Sequence, residues 1–246
     1  MSSILKVFER IKYLGRIIII GKDSSGENIV IIYAITGRSP SSQARKILFK
    51  KNVALVLPTD TEILKKGNID LLIYPAVIIS NGIAVSNGKQ TKDIAKNLQE
   101  GKIAIDVLKA SLQDWDYEPD KPAYTPRISG CVLSPNEAAL SIIKRAGNGD
   151  SEKLFFKFPL IQGKGKMIAT YSGENKDPLP SFQGEPLDIE LNENTAKKTA
   201  NAVYQALGPK EKENDLRVSV VCVYANVKNL DEYHVSIINK QGRTDK

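Results

Sequence analysis

Two β-branched runs near the start of the chain constrain its fold more than any other feature. Residues 16–21 contain four consecutive isoleucines and residues 28–35 continue in the same way, with Lys22-Asp-Ser-Ser-Gly-Glu27 between them. Side chains branched at Cβ are stiff and suit a pleated surface, and a short polar segment with glycine supplies a turn, so the pair predicts a β-hairpin. Asn81-Gly82, between the apolar runs 69–80 and 83–86, predicts a second hairpin because both residues tolerate positive φ. Asn87-Gly88 ends that run. Residues 53–57, 127–133, 167–171 and 218–225 read as further strands.

Helical spacing appears in fewer places. Ile4, Leu5, Val7, Phe8 and Ile11 predict an amphipathic lead-in helix over residues 2–12, with Ser2 or Ser3 as N-cap. Residues 91–99 and 103–113 read as two consecutive helices parted by Gly101, and 194–207 as a third. Arg45 falls in a stretch of mixed charge that also reads as helical. Residues 173–186 are expected to form a long loop, and 209–215 a solvated charged turn. Ser134-Pro135-Asn136-Glu137 carries conflicting signals: serine, proline and glutamate at these offsets spell a helix start, whereas continuation of the strand from Arg127 makes a β-pair. The strand reading is preferred. Strands early and late, with helices in pairs, predict an α+β fold with mostly antiparallel sheets rather than alternating βαβ units.

At 246 residues, 41% apolar, the chain can bury a substantial core and is expected to form one domain over 1–246, with 1–12 as the lead-in helix and 240–246 as a tail. No apolar run reaches the roughly 18 residues of a membrane span, and residues 1–10 lack the form of a signal peptide, so a cytoplasmic protein is expected. Cys131 and Cys222 sit in apolar runs and read as buried free thiols. His234 is the single histidine, which leaves no zinc ligand set, and no metal site is assigned. The net charge of +7 favours anionic partners, but the lysines are scattered rather than gathered into a nucleic-acid stripe.

Residues 116–127 read Asp-Tyr-Glu-Pro-Asp-Lys-Pro-Ala-Tyr-Thr-Pro-Arg. Three prolines exclude a helix and bias their predecessors toward extended conformations, so carboxylates, tyrosines and an arginine are presented from a stiff loop. Stiff polar loops suit active sites. A second polar cluster, Tyr33-Ala-Ile-Thr-Gly-Arg38-Ser39-Pro40, closes one apolar run, and Tyr13-Leu-Gly-Arg16 opens another. With Ala84-Val-Ser-Asn87-Gly88, these segments resemble, in the same order and over Tyr13 to Cys131, the motifs of the archaeal-type IMP cyclohydrolase family.

The resemblance implies a layered αββα sandwich similar to the amino-terminal-nucleophile hydrolases. It also implies a reaction: the carboxamide nitrogen of a formylated aminoimidazole carboxamide ribonucleotide (FAICAR) attacks its own formyl carbon, and water leaves to give IMP. Such chemistry needs no cofactor. It needs orientation, a general base and stabilisation of the developing oxyanion. Glu118 is the favoured base. Tyr33, Tyr74 and Tyr117 are candidate proton donors or hydrogen-bond donors to the formyl oxygen. Arg38 with Ser39 is the first choice for the phosphate and Arg16 and Arg45 are secondary; Asn87, Tyr124 and Arg127 hold the loop or touch the substrate. Bland roles compete: a surface ion pair for Arg38, a helical surface position for Arg45, and a packed tyrosine with its hydroxyl satisfied for Tyr33.

The implied partner is a small purine-precursor ribonucleotide, with neither nucleic acid nor membrane, and assembly is left open between monomer and homo-oligomer. Two other readings remain at this point: an enzyme of the same fold acting on another purine-like ribonucleotide, and a basic non-catalytic nucleotide- or RNA-binding protein, which would lose affinity steeply with salt.

Overall fold

In the computed structural model, which describes residues 2–3, 7–8, 11–60, 62, 72–99, 102–209 and 214–241, Ser2–Ser3 form a short strand, β1. The isoleucine run forms β2 (Arg16–Lys22) and pairs in a hairpin with β3 (Asn28–Thr36). The turn is held by Asp23, whose carboxylate accepts from the Asn28 backbone N–H, the Asn28 amide and Ser25 Oγ at 3.1, 2.9 and 2.9 Å. Gly26 takes the left-handed φ of 78° that closes it.

A short helix α1 (Pro40–Gln43) leads into β4 (Arg45–Lys50), β5 (Val53–Pro58), β6 (Tyr74–Ser80) and β7 (Gly82–Ser86). Helices α2 (Thr91–Asn97) and α3 (Ala104–Ser111) intervene before β8 (Arg127–Val132), β9 (Glu137–Arg145) and β10 (Ser151–Pro159). Strands β4 to β10 form one seven-stranded sheet in strict sequence order, every neighbour antiparallel. The chain then supplies β11 (Lys164–Ala169), β12 (Leu187–Glu190), helix α4 (Ala196–Ala206), β13 (Arg217–Asn226) and β14 (Asn229–Asn239). These complete a second seven-stranded sheet in the order β1-β12-β11-β2-β3-β13-β14, antiparallel except for the β1–β12 pair. The fold is α+β, dominated by two antiparallel sheets.

The sheets pack on each other, β2 against β8, β3 against β7, and β4 against β13 and β14. Ile17 to Ile20 are buried without alternation and join Ala196, Ala200 and Val203 of α4 in one apolar cluster with residues of both sheets. A continuous apolar run is what a strand covered on both faces requires. Helix α4 starts at Thr195, whose side chain accepts from the Lys198 N–H, and is pinned where Thr199 Oγ1 and Tyr224 Oη meet at 2.7 Å. Helices α2 and α3 cover the other sheet through a separate cluster that includes Ile94, Leu108, Cys131 and Ile143. Both cysteines are free and buried.

Two sequence expectations need correction. Ser2 and Ser3 do not cap a helix: they pair in parallel with Ile189 and Glu190, and the β12 edge satisfies backbone groups that a helix start leaves open. Val7 and Phe8 are helical, and Ile4 and Leu5 lie outside the described residues. Arg45 is not helical. The Ser39-Pro40 start is real, but the helix ends at Gln43, and the alternation of buried Arg45 and Ile47 with Lys46 and exposed Leu48 is captured by pairing with β5. Strands β4, β10, β12 and β14 were not foreseen. The strand expected from residue 69 is described only from Tyr74, and Gly101 lies outside the described residues. At 134–137 the strand reading holds, since Glu137 opens β9 and pairs with Pro159.

Gly130 leaves no room for a side chain: a Cβ there would meet Ile20 Cδ1 of the facing sheet at 2.6 Å, and Leu140 Cδ2 and the Ala139 carbonyl of the neighbouring strand at 2.9 and 3.1 Å. Gly130→Val is therefore expected to destabilise the protein by about 1–3 kcal/mol through overpacking, although valine favours strands. A chemical-denaturation midpoint equal to the parent's would show that the sheets can move apart freely.

Candidate active site

At one end of the packed sheets, the start of β2, the end of β3 and the starts of β4, β6 and β8 bring polar side chains together. Tyr33 from one sheet and Tyr74 from the other touch through their hydroxyls at 2.8 Å, with 0% and 2% of their surfaces exposed. Burial, reinforced by Tyr74, pushes the Tyr33 phenol well above its ordinary value. The Tyr33 hydroxyl thus stays protonated at neutral pH and acts as a hydrogen-bonding group. Arg16 sits beside them, its Nη1 donating to the Thr36 carbonyl at 3.4 Å. Burial works against its charge, but Tyr74, Tyr33 and Tyr13 outweigh that and raise its pKa.

Arg45 faces the same group. It is 7% exposed, and its Nε has no hydrogen-bond partner among the described residues. Burial and the like charge of Arg16 both lower its pKa, against the pull of Tyr74, Tyr33 and Glu118. A buried guanidinium donor without an acceptor is costly, and an anionic or carbonyl oxygen of a ligand would satisfy it.

The proline-rich loop delivers the carboxylate. It folds back on itself: the Glu118 N–H donates to the Thr125 carbonyl at 2.9 Å, and Asp120 accepts from the Thr125 backbone at 2.7 Å and from its hydroxyl. Glu118 is buried beside Asn87, whose Nδ2 donates to Oε1 at 3.4 Å, and Arg127, whose Nη1 stands 3.7 Å from the same oxygen. Among the described residues nothing donates to Oε2. Burial pushes the Glu118 carboxyl up from 4.5 to about 7; Arg127, Arg16 and Arg45 oppose this and Asp120 assists it. That is a suitable value for a proton acceptor at neutral pH.

Thr125 Oγ1 also meets Tyr171 Oη at 2.9 Å, and burial raises that phenol to about 12. Tyr171 stacks on Tyr13 with ring centroids 5.6 Å apart, and the Arg38 guanidinium lies 5.3 Å from the Tyr13 centroid. Arg38 is thereby placed at the rim, where Nη1 donates to Asn175 Oδ1 at 2.9 Å and Nη2 is 4.0 Å from the exposed Asp177.

Of the residues singled out in the sequence, Arg16, Tyr33, Tyr74, Glu118, Asn87 and Arg127 come together, with Arg38 at the edge. Ser39 is instead the exposed N-cap of α1, accepting from the Ser42 N–H at 3.2 Å. Tyr117 and Tyr124 form an edge-to-face pair turned toward the β9–β10 turn, where Tyr117 Oη donates to the Gly149 carbonyl at 2.8 Å and Arg145 lies over the Tyr124 ring. Arg45 was undervalued; the period-two pattern it shares with Ile47 was the signal for its inward direction. A cavity of about 410 Å³ lined by Leu14, Thr36, Asn175, Leu207 and Leu216 contains none of the clustered side chains, and the chemistry points to the cluster instead.

A neutral-range carboxyl, paired phenols, the half-buried Arg16 guanidinium and the buried Arg45 with its open donor gather at the end of two packed sheets, an arrangement with the chemistry of an enzyme site for a small anionic ligand. The chain belongs to the IMP cyclohydrolase-like family, whose model matches residues 13–234. It is 32% identical to an IMP cyclohydrolase of Methanothrix thermoacetophila over 174 residues, 70% of this chain and 80% of the relative. Similar enzymes of the same name occur in Methanosphaera stadtmanae, at 33% identity over 55% of this chain and 65% of the relative, and in Methanopyrus kandleri, at 28% over 70% and 89%. The match extends past Cys131, where the motif resemblance ended, so β9 to β13 and α4 belong to the family region.

Because folded Glu118 holds its proton to about pH 7, against 4.5 when unfolded, ionising it disfavours the fold. The penalty is absent below the unfolded value, grows as pH rises and is complete above the folded one, reaching roughly 3 kcal/mol. Glu118→Gln removes it, so denaturant titrations are expected to show the variant gaining stability over the parent between about pH 4.5 and 8. A pH-independent difference would show that the carboxyl is not perturbed.

Proposed function

We propose that this chain is an IMP cyclohydrolase, closing the purine ring of FAICAR with loss of water. The observation that carries the reading is the meeting of Glu118 with the Tyr33–Tyr74 pair and the open Arg45 donor at one buried site. Glu118, through Oε2, takes a proton from the carboxamide nitrogen as that nitrogen attacks the formyl carbon. Arg45 and Arg16, with the phenol pair, receive the negative charge that develops on the formyl oxygen; buried donors fixed before the reaction stabilise such charge strongly. Glu118 then returns that proton to the oxyanion, and the resulting hydroxyl leaves as water with the proton of the formamido nitrogen, which forms the C=N bond of the product ring. Arg38, partly exposed and packed over the Tyr13 ring, exchanges Asn175, the Lys176 carbonyl and Asp177 for the 5′-phosphate. Asn87 and Arg127 hold the loop.

We assign the whole chain to one domain with helix–sheet–sheet–helix layering of the amino-terminal-nucleophile hydrolase kind. A core cluster shared by both sheets supports this, as does the packing of α4 on one sheet and of α2 and α3 on the other. Among the described residues no helix is long and apolar enough to cross a membrane. The free buried thiols agree with a reducing, cytoplasmic setting.

The direct test is to incubate the purified protein with FAICAR and follow IMP by chromatography; no IMP overturns the reading. Glu118→Gln is expected to lower kcat by about 10²- to 10⁴-fold with little change in KM. Turnover at the parent rate would move the base elsewhere. Arg38→Ala is expected to weaken binding of a 5′-monophosphate by about 1.5–3 kcal/mol with the fold intact. Calorimetry giving equal affinity for parent and variant would remove Arg38 from the phosphate site.

A further inference from the structure

Behind the carboxylate, four buried side chains close a ring. Arg127 Nη1 donates to Gln90 Oε1 at 3.3 Å, Gln90 Nε2 donates to Asn87 Oδ1 at 3.2 Å, and Asn87 Nδ2 donates to Glu118 Oε1 at 3.4 Å. The ring closes where Arg127 Nη1 stands 3.7 Å from that same oxygen. The orientation of both amides is fixed by the backbone. Asn87 Oδ1 accepts from the Ile128 N–H at 2.9 Å and its Nδ2 donates to the Pro126 carbonyl at 2.9 Å, and neither backbone group can exchange roles. Gln90, having given its amine to Asn87, must turn its oxygen toward Arg127.

Charge-assisted pairs of guanidinium and carboxylate ordinarily close to about 2.7–2.9 Å. This one stops at 3.7 Å although both groups are buried. Arg127 is held back by three contacts: Gln90 Oε1, the Asp116 carbonyl at 2.8 Å from Nε, and the Trp115 ring, whose centroid is 4.8 Å from Cζ. Gly88 admits the arrangement, because a Cβ there would lie 2.5 Å from Gln90 Oε1 and 2.8 Å from Arg127 Nη1. Gln90 is wholly buried, and both its amide groups are spent within the ring.

We propose that Gln90 is a positioning residue: it holds the Arg127 guanidinium off Glu118, which leaves the carboxylate underpaired and able to accept a proton. Its bearing on turnover rests on the reading of Glu118 as the base. The other charged groups acting on Glu118 are Arg16 and Arg45 from the two sheets and Asp120 from its own loop, whereas Gln90 spends its hydrogen bonds on Asn87 and Arg127. Freeing Arg127 therefore changes one interaction and leaves three in place.

Gln90→Met keeps the volume and removes the acceptor. With the Gln90 contact gone, and the Asp116 carbonyl and Trp115 ring still in place, Arg127 Nη1 turns toward Glu118 Oε1, and the ¹³C-carboxyl titration of Glu118, assigned by its loss in Glu118→Gln, is expected to move down by about one pH unit. The acidic limb of the kcat/KM profile moves with it, kcat falls at neutral pH, and KM stays within about twofold. Gln90→Glu keeps the shape, binds Arg127 more tightly and adds a like charge, so its midpoint moves the opposite way; it also serves as the test if the methionine variant fails to fold. A merely structural role would lower activity in both variants without shifts of opposite sign. A Glu118 midpoint unchanged in either folded variant overturns the proposal. Shifted midpoints together with a fully active Glu118→Gln would overturn the base assignment alone and leave the role of Gln90 standing.

Discussion

The hydroxyl contact between Tyr33 and Tyr74 is the interaction on which the rest of the site depends, because it is made by one residue from each sheet. Neither sheet alone can form it. A phenol buried in an apolar interface must find a partner, and here each finds the other, which fixes the depth and direction of both rings. Arg16 and Arg45, again one from each sheet, flank the pair. The apolar packing of two sheets is thereby turned into a chemical arrangement: where the isoleucines end, the same interface continues as donors.

Desolvation then sorts the charges. Arg45 has a buried Nε with no acceptor among the described residues, and Glu118 is taken out of water, so each is less stable in its charged form than it would be in water. Proteins retain such deficits where a ligand makes them good. The exposed ion pairs elsewhere, such as Lys157 with Glu137 at 2.9 Å, show no comparable tension and contribute little. What distinguishes the cluster is water exclusion as much as residue type.

The hairpins at 22–27 and 81–82, the paired helices and α4 were legible in the sequence because turn chemistry and periodicity act over short distances. Strand order was not, because β3 pairs with β13 across nearly the whole chain and no local pattern records that choice. The proline-rich loop was read as stiff and polar, and Glu118, Tyr33 and Tyr74 all lie close enough to act on Arg45. Tyr117 was misplaced because a loop can turn successive side chains in opposite directions: Glu118 points inward while its neighbour bonds to Gly149. Arg45 was ranked low for a different reason. Charged residues usually lie on surfaces, and only its place at the head of β4 shows that it does not.

The strict sequence order of the β4–β10 sheet has a consequence for how the molecule is made. Each of its strands pairs with the next one to be synthesised, so the sheet can zip up through near-neighbour contacts as the chain leaves the ribosome. The other sheet cannot. Strands β2 and β3, although made first, wait for β11 and β13 before both their edges are paired. For most of translation the four isoleucines of β2 therefore belong to a hairpin with open edges, and this early, apolar, unfinished segment is where a chaperone would have most to protect.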